Sequence, residues 1–133
     1  ALRLAGLAPG QQPLIVATEG GHTDFAPRDA LELDLLRFLL RRHPEHVSVE
    51  RVICGAGLHM LYEFFAEREP ERVSPQVAAE IEAAGPSAPS VVSAHGLAGT
   101  DLLCQRALER FVMLYGAEAG NLALKSMATG GVV

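Results

Sequence analysis

Tryptophan is absent from the 133 residues, aromatic side chains make up only 5%, and there are just two cysteines. Each scarcity removes a class of protein. Cys54 and Cys104 stand far apart with no C-x-x-C pairing, which excludes a zinc ribbon or a redox dithiol. Two isolated thiols without a recognisable secretory signal are the pattern expected of a cytoplasmic protein. No apolar run approaches the roughly 18 to 20 residues that span a bilayer, so no membrane association is expected. Basic charge is also scarce: 11 Lys and Arg against 16 Asp and Glu give a formal net charge of −5. The densest basic group, Arg41-Arg42-His43, reads as a helix end, so no nucleic-acid partner is expected. What remains is 49% hydrophobic and 20% charged, the balance of one globular domain.

Along the chain, residues 1–8 and 13–17 are apolar runs separated by Pro9-Gly10-Gln11-Gln12, the pattern of a hairpin. Asp29 with Glu32 three positions later starts a helix in capping-box fashion. Leu31, Leu35, Phe38 and Leu39 then recur at helical spacing, and Arg41, Arg42 and Pro44 mark the end. Residues 47–53 alternate apolar and polar and read as a short strand ending in Cys54-Gly55-Ala56-Gly57. A second helix carries Leu58, Leu61, Tyr62 and Phe65 on one face. Ser74-Pro75 caps a third, which runs to about Ala84 and stops at Gly85. Gly85-Pro86-Ser87-Ala88-Pro89-Ser90 reads as a short linker. From Thr100 a long helix presents Leu103, Ala107, Leu108, Phe111, Val112 and Tyr115 as its apolar stripe. Gly116, Gly120 and Ala123 prolong that face with small residues, inviting close approach of another element. The chain begins at Ala1 and stops at Gly130-Gly131-Val132-Val133, apparently entering a strand, as a piece of a longer protein would. The class is α/β, with helices dominating.

The segment Glu19-Gly20-Gly21-His22-Thr23-Asp24-Phe25-Ala26-Pro27 holds more polar chemistry than a turn requires. A metal centre would need three or four converging ligands, and no second His-rich segment completes Glu19, His22 and Asp24, so no metal is expected. A plain glycine turn, with Asp24 bonded to local backbone, accounts for the glycines through their freedom at positive φ. Polyhydroxyl recognition accounts for the rest. A carboxylate accepts from two adjacent sugar hydroxyls at once, and an imidazole can both donate and accept. Glu50, on the next strand-like run, could face the same ring.

Four segments carry a family resemblance: "EGGHTDFAP", "HVSVERVICGAGLHMLYEF", "CQRALERF" and "AGNLALKSMATGGVV". In that order and at these separations they resemble the bacterial glucokinase family, and they span most of the chain, from Glu19 to Gly131. The match is poorest over residues 67–99. The resemblance implies an ATP-dependent kinase that phosphorylates the 6-hydroxyl of glucose, the first step of glycolysis. The implied architecture is the actin-like ATPase fold of the ribonuclease H-like type. Residues 1–133 would be the central part of its large domain, on the sugar-binding side of the cleft. Glu19, His22 and Glu50 fall on the family's sugar-contacting positions.

The resemblance also implies ATP with Mg²⁺, and a homodimer. The family's glycine-rich phosphate loop, its Asn-Asp pair with the general-base Asp, and its adenosine-binding glycines have no counterpart here. They are expected before Ala1 and after Val133, so no catalytic residue is assigned within this chain, and the chain alone is expected to be inactive. Met127-Ala128-Thr129 and His59-Met60 depart from the family pattern, at positions of packing and of a nucleotide-side loop. The alternative is a noncatalytic sugar-binding or regulatory protein of the same superfamily; an inactive α/β scaffold domain is the third.

Overall fold

A computed structural model of the protein describes residues 2–4 and 14–128. Strands β1 (Leu2–Leu4) and β2 (Leu14–Val16) pair antiparallel, with Leu2 opposite Val16 and Leu4 opposite Leu14. This is the expected hairpin, whose turn at residues 9–12 lies outside the described residues, as do residues 130–133. Among the described residues everything else regular is helical: α1 (Ala30–Leu40), α2 (Glu50–Ile53), α3 (Gly55–Arg68), α4 (Pro75–Ala84), α5 (Ala88–Ala98) and α6 (Leu102–Lys125).

Helix α3 is the hub and packs against α1, α2, α5 and α6. Its buried Leu58, Leu61, Tyr62, Phe64 and Phe65 meet Leu35, Phe38 and Leu39 of α1 and Leu103 and Ala107 of α6 in one core. Phe64 sits edge-on between Phe38, at a 5.5 Å centroid distance, and Phe65, at 5.2 Å. That geometry suits the ring quadrupoles. The α4 start is as expected: Pro75 opens the helix, the Ser74 hydroxyl accepts from the Val77 amide, and Gly85 ends it at φ 52°.

Three expectations are corrected. Residues 47–53 are not a strand. Only Ser48 forms a β-bridge, to Asp24, and the chain turns helical from Glu50. The amides of Val52 and Ile53 donate to the Val49 carbonyl, closing helical turns. Val49, Val52 and Ile53 therefore follow helical spacing, which in so short a run resembles alternation. Residues 85–90 are not a linker: after a 3-10 turn at Gly85–Ser87, α5 begins at Ala88, with Pro89 in its first turn, where a missing amide costs nothing. Finally, the α6 stripe holds for Leu103, Ala107, Leu108 and Phe111, which are buried or packed against the core, but not for Val112, 61% exposed, and Tyr115, 57% exposed; Leu114 and Glu118 are buried instead. Nothing among the described residues lies near Gly116 or Gly120.

Helix α1 starts on a buried charge. Glu32 is 0% exposed. Its carboxylate accepts from the Arg28 amide (2.8 Å) and Nε (3.1 Å), and from Nη1 of Arg110 on α6 (3.0 Å). Arg110 also donates to Asp29 (2.9 Å), whose other carboxylate oxygen caps the Glu32 amide. Burial pushes the Glu32 carboxyl up, but the hydrogen bonds from Arg28 and then Arg110 more than reverse it, and its pKa falls below the ordinary value. The Glu32 amide, and then Arg110, lower that of Asp29 likewise.

Two close approaches fix the helices. A Cβ on Gly96 of α5 would lie 2.8 Å from the Cys104 carbonyl oxygen of α6, and one on Gly57 of α3 would lie 2.7 Å from the Arg51 carbonyl oxygen of α2. Both obstacles are backbone, so neither can swing aside. Gly57→Ala should therefore cost on the order of 1–3 kcal/mol of stability by urea denaturation; a neutral result would mean that α2 moves freely.

The acid response follows from linkage. Carboxylates with lowered native pKa bind fewer protons folded than unfolded, so their stabilisation is complete above the ordinary carboxylate range. It is lost as pH falls below about 4, through the native values. Arg110→Met keeps the aliphatic stem but strips Glu32 and Asp29 of a partner. It should cost about 2 kcal/mol at pH 7, and clearly less at pH 3, below the ordinary carboxylate range, where the unfolded chain takes up protons that the folded carboxylates resist. Equal penalties at the two pH values would contradict this assignment.

Candidate functional site

The polar loop after β2 is a 3-10 turn at Gly20–His22. The His22 amide donates to the Glu19 carbonyl at 2.9 Å, and both the amide and hydroxyl of Thr23 donate to the Gly20 carbonyl, at 3.2 and 2.8 Å. Gly20 and Gly21 are not among the residues at positive φ. Nor does close approach require them, since a Cβ at either would make ordinary van der Waals contacts. A Cβ on Gly21 would lie 3.5 Å from Cβ of Glu50, and one on Gly20 would lie 3.9 Å from the Leu122 side chain of α6. The loop is thus laid against both α2 and the far end of α6.

Residues 23–25 then run beside residues 47–49. The Phe25 amide donates to the Val47 carbonyl and the Val49 amide to the Thr23 carbonyl, each at 2.9 Å, with Asp24 bridged to Ser48 between them. Phe25, Val47 and Val49 are buried beneath this pairing. Apolar side chains anchor the ladder from below, while on the opposite face Asp24 is exposed and Ser48 is buried. Immediately after it, Glu50 opens α2.

The result brings two of the three expected residues into contact. Nε2 of His22 lies 3.2 Å from Oε2 of Glu50, with both side chains largely exposed. Glu19 opens the same turn and is exposed, but it does not line the neighbouring cavity, which His22 and Glu50 do. Among the described residues, neither Glu19 nor Glu50 is paired with Arg28 or Arg51; Arg28 is committed to Glu32. The cavity, about 670 Å³ and open to solvent, continues from His22 and Glu50 past His46, His43 and Arg51 to Cys54.

Several polar groups here were not singled out as site residues. Asp24 meets His46, with Nε2 of His46 2.9 Å from Oδ1 of Asp24. The only hint in sequence is that both lie within the two polar segments. The Cys54 thiol accepts from the Gly57 amide at 3.4 Å and caps α3. Cys104 is buried, and desolvation, reinforced by its hydrogen bond to Asp101, pushes its thiol up to about 12.

Chemically, solvated carboxylates can accept hydrogen bonds from hydroxyls, and the imidazole adds a second kind of partner. Among the described residues no three His, Cys, Asp or Glu side chains converge as metal ligands. The donor set does not fit a Mg²⁺–nucleotide complex, and no catalytic step is derived through one. No described helix is long and apolar enough to cross a membrane.

The family model "Glucokinase" matches residues 4–133. A curated glucokinase from Nostoc sp. (strain PCC 7120) is 41% identical over 133 residues, covering 92% of this chain and 39% of the relative. One from Marinobacter nauticus is 42% identical, covering 98% of this chain and 37% of the relative. Among solved structures, a glucokinase from an Antarctic psychrotroph superimposes with a TM-score of 0.64 at 29% identity, over 87% of this chain and 32% of its own. The chain therefore spans about two fifths of the length of the curated relatives it matches. With a family match over nearly all of its residues, the chain belongs to the glucokinase family.

Proposed function

We propose that this chain is the sugar-binding part of a glucokinase that uses ATP and Mg²⁺ to phosphorylate the 6-hydroxyl of glucose, the first step of glycolysis. Glu19, His22 and Glu50 bind the sugar. The observation that carries this reading is the ladder between residues 23–25 and 47–49, which brings His22 within 3.2 Å of Glu50 although the two lie on separate segments. In their roles, Glu50 and Glu19 accept hydrogen bonds from sugar hydroxyls, and His22 completes the wall between them. Both carboxylates stay solvated in the empty site because burying unpaired charge is costly. The large-domain, actin-like ATPase architecture, the cytoplasmic location and the homodimer belong to the same proposal.

The phosphate cradle and the general base are not found among the described residues, and phosphoryl transfer needs both. The second reading is a noncatalytic sugar-binding or regulatory protein of this superfamily. Catalysis by the longer protein separates the two.

Two outcomes are expected. The purified 133-residue chain should show no glucose-dependent ADP release above a no-enzyme control. In the full-length enzyme, Glu50→Gln keeps shape but loses charge-assisted acceptance, about 1.5–3 kcal/mol per hydrogen bond lost, or roughly 10- to 150-fold. It should raise KM for glucose by that order and leave KM for ATP nearly unchanged. An unaltered glucose KM would remove Glu50 from the site.

A further inference from the structure

Asp24 and His46 are not among the proposed sugar contacts, yet they join the two segments that carry them. His46 stands four residues before Glu50, and Asp24 two after His22. The ladder between them has only two hydrogen bonds and one bridged pair, Asp24 with Ser48. So short a pairing is marginal by itself. Its register matters, because a slip of one residue turns every side chain to the opposite face and would part His22 from Glu50. His46 lies diagonally across from Asp24, two positions from its bridged partner Ser48. Diagonal neighbours of this kind are within reach only in the correct register. Their 2.9 Å contact is therefore a register lock on the outer face of the ladder, opposite the buried Phe25, Val47 and Val49. The side chains are 90% (Asp24) and 49% (His46) exposed. An exposed pair adds little to global stability, so its effect falls on the local geometry of the loop.

We propose that Asp24 and His46 are positioning residues: their contact holds the Glu19–His22 turn in register with Glu50 and so sets glucose affinity without touching glucose. The inference rests on the sugar-site reading above.

The test is glucose titration calorimetry on the full-length enzyme. Asp24→Ala and His46→Ala should each weaken glucose binding about three- to five-fold. The double variant should lose no more than either single one, because the two act as a unit. His46→Gln, whose amide can donate to Asp24, should restore most of the loss. KM for ATP and the thermal midpoint should not move. Unchanged affinity in His46→Ala alongside weakened binding in Glu50→Gln would overturn the lock alone, as would strictly additive losses. Unchanged affinity in Glu50→Gln would overturn the sugar reading, and the lock with it.

Discussion

The buried carboxylate of Glu32 is the constraint on which the arrangement depends. A carboxylate removed from water must be met by donors, and Arg28 and Arg110 meet it from two sides. Arg28 belongs to the segment entering α1, and Arg110 to the middle of α6, so α1 cannot begin elsewhere or rotate without stranding the charge. Because α1 starts there, Phe25 is delivered to the core a few residues earlier and the polar loop before it is pinned at the surface. An apolar contact at this position would bind as well but would tolerate sliding; the forked geometry of two guanidinium groups does not.

Above that anchor the fold divides the work between backbone and side chains. Buried Phe25, Val47 and Val49 and two amide hydrogen bonds bring the segments together, and the close fit of Gly57 against α2 keeps Glu50 from drifting. The exposed side chains of Glu19, His22 and Glu50 bear almost no load themselves. They remain solvated and contribute little to folding. Placing such groups on well-packed neighbours is how a site keeps its geometry without burying its charges.

Much of this was legible in the sequence, and the failures have physical causes. The Asp29 cap, the Ser74-Pro75 start and the Gly85 stop are local codes, read by the few residues that make them, and each appears where expected. The polar loop and Glu50 could be singled out because their chemistry exceeded any structural need. Residues 47–53 misled because a bridge followed at once by one helical turn has no period long enough to declare itself. Residues 85–90 misled because proline and glycine punctuate a turn and also open a helix. The second half of the α6 stripe was missed for a different reason: which side of the helix is buried there depends on its neighbours, and Leu114 and Glu118 are buried where Val112 and Tyr115 were expected. The charge on Glu32 looked like a capping residue, and nothing local announces a partner 78 positions away.

The two thiols differ in a way that gives the molecule a single chemical handle. Thiols react as thiolates, and with its pKa pushed up to about 12 inside the core, Cys104 is ionised in only about one molecule in 10⁵ at pH 7. Cys54 is half-buried on the rim of the open cavity, a few residues from Glu50. A fluorophore or spin label offered to the native chain would thus be directed to one atom, at the hinge between α2 and α3. This chain carries its own reporter position beside the polar loop.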